Sequence, residues 1–291
     1  MTDAEMMAEI GQKQPNPTIF TTTRHPYNLQ EGEELEICIQ SFDPRFISDP
    51  NPSPQPWILG INVTVYIETG QDDALRPSAG NLGGFLIKRE LIPQAEDEFL
   101  RRMMSMNSHT QQLALQLFDA QGRLKDKFKG RGIRGSENDD SWIFEVSMAE
   151  IHPGWRREGV GRKMIECVRD EVLAWAREAQ REVLMVLMLG APKRVVDEHM
   201  LSQPLSSAAD IQQVSTNARL RAKRFWRSLG FRRLSERSNW FGWTRFGAED
   251  RDHSLTTQED WESEDEIVKL EIHDDDMAPD VAEKWVRYQP N

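Results

Sequence analysis

At 291 residues, with 38% hydrophobic and 29% charged side chains, the chain can bury one sizeable core with appendages, and its length allows one or two domains. Its formal net charge of −12 argues against general nucleic-acid binding. The longest apolar run, the seven residues from Val183 to Leu189, falls far short of the roughly 18 that a membrane span needs, so no membrane association is expected.

The start, Met1-Thr-Asp-Ala-Glu, has neither a basic stretch nor an apolar core, so no secretory signal is expected. Cys38 and Cys167 fall in a predicted strand and a predicted helix and make neither a disulfide framework nor a metal-ligand pattern. These features suit a reducing, intracellular setting, cytoplasmic or nuclear, and no metal is expected.

Residues 1–30 carry little periodicity and read as a flexible arm. Glu34-Leu-Glu-Ile-Cys-Ile-Gln40 alternates and predicts the first strand. Asp43 to Pro56 holds Pro44, Pro50, Pro52, Pro54 and Pro56, which predicts an extended connection. Trp57 to Thr69 and Gly83 to Leu91 predict two further strands. Pro93 to about Phe128 is read as an insertion with two helical patterns, around Phe99-Leu-Arg-Arg-Met-Met and Leu113-Ala-Leu-Gln-Leu-Phe118. Met103, Met104 and Met106 in it are expected to pack, since thioethers fill irregular gaps.

Trp142-Ile-Phe-Glu-Val-Ser-Met-Ala-Glu-Ile151 predicts a strand that Pro153 stops, because proline cannot donate to a ladder. A turn follows, Arg156-Arg-Glu-Gly159-Val-Gly161-Arg162, and then Ile165, Val168, Val172, Trp175 and Ala179 recur at three- and four-residue steps on one helix stripe. The glycines let a ligand approach the backbone, and the first helical N–H groups lack partners within the helix, so a phosphate is the natural guest. Arg156, Arg157, Arg162 and Lys163 supply countercharge. No Gly-x-x-x-x-Gly-Lys-Ser/Thr loop occurs, and a dinucleotide fingerprint would need a third glycine and an earlier position.

Glu182-Val-Leu-Met-Val-Leu-Met-Leu189 predicts a strand covered on both faces. Ala218 to Leu229 predicts a helix closed by Gly230, with a strand from Phe231 to Leu234. Between Arg219 and Arg237 eight Arg and Lys residues face only Glu236, whereas Glu249 to Asp276 holds thirteen acids against Arg251 and Lys269, a net of −11. The acidic segment reads as a solvated spacer; alternatively it folds over the basic helix and shields the neighbouring site.

Pro153, Arg156, Gly159 and Gly161 resemble motif A of the GNAT superfamily of acyl-CoA-dependent N-acyltransferases, which runs apolar-x-Val-x-Pro-x-x-Arg-Gly-x-Gly-x-Gly. The departure is Arg157 where glycine is common. Ala222-x-x-Phe225-Trp226-Arg-Ser-Leu229-Gly230-Phe231 resembles the superfamily's motif B, with Trp226 where a tyrosine is common. The resemblance implies an α/β (α+β) domain over about residues 31–246: a mixed, mostly antiparallel twisted sheet flanked by helices, with the helical insertion (93–128) before the motif strand and an acidic extension over 247–291. It implies acetyl-CoA, or another acyl-CoA, as donor cosubstrate, held by Ile151, Arg156, Arg157, Glu158, Gly159, Val160, Gly161 and Arg162. The acceptor would be a primary amine of a small molecule or basic peptide, attacking directly.

Many superfamily members place two helices where the proline-rich connection lies here, and those helices wall the acceptor site. The insertion is read as their replacement; a helical hairpin that merely packs on the sheet is the alternative. Glu145, flanked by Ile143, Phe144 and Val146, is the expected catalytic base, since some members carry a glutamate there that acts through water. Glu150 is the competitor, and strand alternation puts it on the opposite face unless a bulge intervenes. Trp226 is too weak an acid to protonate a thiolate, which leaves solvent or Tyr66 for that step. Cys167 reads as core, and His152 receives no role. Two other classes remain open at this stage: a catalytically silent CoA-binding or protein-interaction module, and a nucleotide-binding protein using the same loop.

Overall fold

The computed structural model describes residues 19–29, 34–44, 55–68, 76–93, 95, 97–106, 108–126, 139–190, 208–234 and 239–244. They form strands β1 (Ile19–Asn28), β2 (Glu34–Phe42), β3 (Ile58–Ile67), β4 (Ser78–Ile87), β5 (Trp142–Ile151), β6 (Val183–Met188), β7 (Arg232–Arg233) and β8 (Trp240–Thr244). The described helices are α1 (Glu98–Met104), α2 (Ser108–Leu117), α3 (Val160–Glu178) and α4 (Ala208–Ser228). All eight strands join one sheet in the order β1-β2-β3-β4-β5-β6-β8-β7. Every neighbouring pair is antiparallel except β5 with β6, which α3 connects. The mixed, mostly antiparallel sheet flanked by helices is thus as expected. The acidic extension, 247–291, lies outside the described residues.

The expected flexible arm is corrected at its C-terminal end, since β1 pairs along β2 from Ile19↔Phe42 to Asn28↔Glu34. The run Thr21-Thr22-Thr23 favours a strand through its β-branched side chains. Pro26 is tolerated because β1 is the sheet edge.

Two cores sandwich the sheet. One face carries Ile37, Val63, Leu82, Leu86 and Phe144 and is covered by α3 and α4. Met164, Ile165, Val168, Val172 and Ala176 bury one stripe of α3 there, each large aliphatic side chain contributing about 1.5–3 kcal/mol. Ala179 lies past the helix end and is exposed, so Ala176 completes the stripe instead. Trp226 is also in this core, edge-on to Phe225 and Phe231 at 5.2 and 5.1 Å. Cys167 is buried beside Val168 as expected, and burial raises its thiol pKa. Gly230 sits just past α4 at φ +90°, where a left-handed residue ends the helix.

The other face, with Ile58, Ile87, Ile143, Leu184 and Val186, is covered by the insertion through Phe99, Leu100, Met103, Leu113 and Leu117. The buried Arg89 fastens the insertion: its Nε donates to Ser141 O at 2.7 Å and its Nη1 to Gly122 O. Burial lowers the pKa of Arg89 to about 10, against the pull of Asp139, Asp140, Glu90 and Asp119.

Candidate functional site

β5 and β6 run side by side only from Trp142↔Val183 to Val146↔Leu187. Beyond Val146, β5 keeps β4 as its neighbour and parts from β6. A bulge accompanies the parting: Gly84 faces Val146 and Gly83 faces Met148, so Ser147 has no partner in β4. An extra residue bends a strand and slips its alternation by one. Phe85, Gly83 and Asn81, which share one face of β4, therefore oppose Glu145, Met148 and Glu150. Glu150 lies on the same face as Glu145, which corrects the expectation from simple alternation. That face is the one covered by the insertion.

At the end of β5, His152 N–H donates to Ala79 O of β4 at 2.9 Å, while Ile151 O accepts from Arg156 Nε at 2.9 Å. Successive strand residues point their amide groups to opposite sides. The N–H of Ile151 is thus directed away from β4, towards the side on which β6 no longer pairs with β5.

The turn after Pro153–Trp155 leads into α3 with Arg157 at φ +72° and Gly159 at φ +81°. Both occupy the left-handed region, which explains why glycine suits the Arg157 position. Gly159 caps α3 with no side-chain hydrogen bond, and the first intrahelical bond runs from Lys163 N–H to Gly159 O at 3.0 Å. The N–H groups of Val160, Gly161 and Arg162 consequently have no acceptor within the helix. The first turn of α3 contains no acidic residue, only Arg162 and Lys163. A helix start with no cap and a cationic first turn favours an anion.

Both glycines of the turn stand close to neighbouring side chains. A Cβ at Gly161 would stand 3.3 Å from Ile151 Cγ1 and 3.4 Å from Phe225 Cζ, and one at Gly159 would stand 3.3 Å from Tyr27 Oη. Side chains at these positions would crowd the start of α3. Arg157 and Glu158 are exposed at the tip of the turn, and Val160 is buried at its base. Arg162 is turned to α4, donating to Ser228 O and Oγ at 3.2 and 3.1 Å, so it joins the two helices beside the cradle.

Glu145 is 0% exposed. Its Oε2 accepts from the Ser147 hydroxyl at 2.5 Å, while Oε1 has no hydrogen-bond partner among the described residues. His109 Nδ1 lies 3.7 Å from Oε1, an ion-pair distance when the ring is protonated and too long for a hydrogen bond. His109 lies in the first turn of α2 with 40% of its side chain exposed. The Glu145 carboxylate raises its pKa, outweighing the burial that opposes it. Nothing at Ser108-His109-Thr110 marks this histidine in the sequence; the only available signal was the insertion immediately before the motif strand.

Tyr66 is not brought to Glu145. It opposes Ser78 at the start of β4, whereas Glu145 opposes Phe85 near the end, and its ring lies 5.2 Å from Arg76 Cζ. His152 Nδ1 is 2.8 Å from Ser78 O, which anchors the end of β5 to the start of β4. Among the described residues no group of three or more His, Cys, Asp or Glu is placed to hold a metal, and no helix is long and apolar enough to cross a membrane. Comparison of the chain with protein families, with curated proteins and with solved structures finds no match.

Proposed function

We propose that the protein is an acyl-CoA-dependent N-acyltransferase of the GNAT type, transferring an acetyl group from acetyl-CoA directly to a primary amine. The observation that carries this reading is the coincidence of two features on β5. Its last half diverges from β6 at the Ser147 bulge, and the cationic, uncapped start of α3 follows within a few residues. The first offers a slot between parallel strands for the pantetheine arm; the second offers amides for the diphosphate.

In this reading the N–H groups of Val160, Gly161 and Arg162 hold the diphosphate, helped by Arg156, Arg157 and Lys163. The Ile151 N–H pairs with the pantetheine arm or polarises the thioester carbonyl, an electrostatic aid worth most in a water-poor cleft. Glu145 supplies the carboxylate of the proton-accepting group, and α1 and α2 take the place of the acceptor wall. The Trp226 ring is buried in the core, so a proton for the departing thiolate must come from elsewhere.

Turnover tests the reading. Purified protein with acetyl-CoA and a panel of polyamines, amino acids, aminoglycosides and basic peptides should release the thiol of CoA with at least one amine. Tight CoA binding without turnover on any amine would leave a silent CoA-binding module. Binding of neither CoA nor acetyl-CoA would remove the proposal altogether.

A further inference from the structure

Given the acyl transfer proposed above, we infer that the hydroxyl of Ser147, the bulge residue of β5, takes the proton from the acceptor amine while passing its own to Glu145. Glu145 is 0% exposed, so its carboxylate presents no surface to an amine. Among the described residues its side chain accepts one hydrogen bond, from Ser147 Oγ to Oε2 at 2.5 Å. That separation is typical of a hydroxyl donating to a charged carboxylate. Ser147 itself is half-buried, and its hydroxyl makes no other hydrogen bond among the described residues. The hydroxyl therefore joins a sealed carboxylate to a surface that a substrate can reach, with lone pairs left to accept from an amine N–H.

The bulge puts a hydroxyl at this point. Gly84 faces Val146 and Gly83 faces Met148, which leaves Ser147 without a partner in β4, and the pairing of β5 with β6 ends at Val146↔Leu187. Residues 142–146 are buried, and Ser147 is the first residue of β5 that is not. Met148, next along, is 50% exposed. Ser147 thus stands where the slot proposed for the pantetheine arm begins, one hydrogen bond from Glu145. A serine hydroxyl is too weak a base to hold a proton near neutral pH, so it can act only by giving one up as it takes one on. The carboxylate supplies the destination.

The proton balance closes. The free-base form of the acceptor bonds to the acyl carbon; as its proton moves to Ser147 Oγ, the Oγ proton moves to Oε2 of Glu145. The carbon–sulfur bond breaks and sulfur leaves with the bonding pair. The proton held by Glu145 returns through the same hydroxyl to the thiolate. An amine and a thioester become an amide and a thiol, and both side chains end as they began. The relay also provides the departing sulfur with a proton donor, which Trp226 cannot be.

The test is kinetic, on the full-length chain with acetyl-CoA and a slow acceptor amine, for which proton transfer limits kcat/KM. Ser147→Ala should lower kcat/KM by about 10²- to 10⁴-fold, the usual range for a lost acid–base group, while its Tm still rises with CoA. Ser147→Thr, which keeps the hydroxyl, should recover most of the rate. Glu145→Gln and the double variant should each lose about as much as Ser147→Ala alone, since groups acting as one unit are not additive. Wild-type rates in mixtures of light and heavy water should follow a bowed curve, because two hydrogens move together, and this readout needs no variant to fold. A wild-type rate in Ser147→Ala, losses that multiply in the double variant, or a straight-line dependence on deuterium content would overturn this inference alone. Absence of thiol release by the wild-type protein with every amine would overturn the transferase reading beneath it.

Discussion

A Cβ on Gly84 of β4 would strike the backbone carbonyl oxygen of Glu145, so the two strands approach closely beside the Ser147 bulge. The bulge therefore depends on a residue in the neighbouring strand. Gly84→Ala should destabilise the fold by about 1–3 kcal/mol, the cost of overpacking a tight site. Gly83→Ala is the control, because a Cβ there meets only Met148 Cε at 3.8 Å. Thermal unfolding of the two variants side by side should show a loss for the first and little change for the second.

Arg157 holds a left-handed backbone without being glycine. That conformation costs an L-residue about 1–2 kcal/mol, of which glycine's greater freedom in the unfolded chain returns roughly 0.5–1. Arg157→Gly should thus raise the stability of the ligand-free protein by about 0.5–1 kcal/mol. If the guanidinium also serves the diphosphate, the same variant should bind CoA more weakly. Calorimetric titration with CoA and unfolding without it measure the two effects separately.

Removing the buried Arg89 leaves the carbonyls of Ser141 and Gly122 without this donor. Hydrogen bonds from a charged donor contribute about 1.5–3 kcal/mol each, so Arg89→Met should lower stability by several kcal/mol. Because these bonds fasten the insertion to the start of β5, the variant should also lose the influence of Glu145 on the His109 titration. Chemical denaturation and NMR report the two outcomes.

The His109–Glu145 pair makes stability depend on pH in a defined direction. The folded protein raises the pKa of His109 above the unfolded value of about 6.5. Its contribution is therefore complete below about pH 6.5 and is lost as pH rises through the higher folded value. Wild-type protein should lose stability relative to His109→Gln on going from pH 5.5 to 8.

Spacing made α3 readable, because its apolar residues recur on one face and the glycine turn precedes them. The start of α4 was not readable: residues 209–213 are exposed, and burial along this helix begins at Ala218, where the periodic pattern also begins. β1 was missed because its threonines, His25 and Pro26 give no hydrophobic alternation, and its pairing with β2 supplies what the pattern lacks. The sequence placed Glu145 on a strand and the cradle residues at a strand–helix turn. It did not place Glu150 on the Glu145 face, because a bulge arises from how two strands pair and not from one strand's pattern. Nor did it find His109, since contact between an inserted helix and a strand residue is a matter of tertiary packing.

The most direct measurement of the central claim is the thermal response to CoA of the wild-type protein and of a Gly159→Val/Gly161→Val variant. At about 100 times its Kd, CoA should stabilise the wild type by about 2.7 kcal/mol, a rise in Tm of about 5–10 °C, while ATP and NAD at equal concentration should do much less. The variant, compared with its own ligand-free Tm, should show no such rise. A wild-type protein indifferent to CoA, or a variant that still responds fully, would contradict the account.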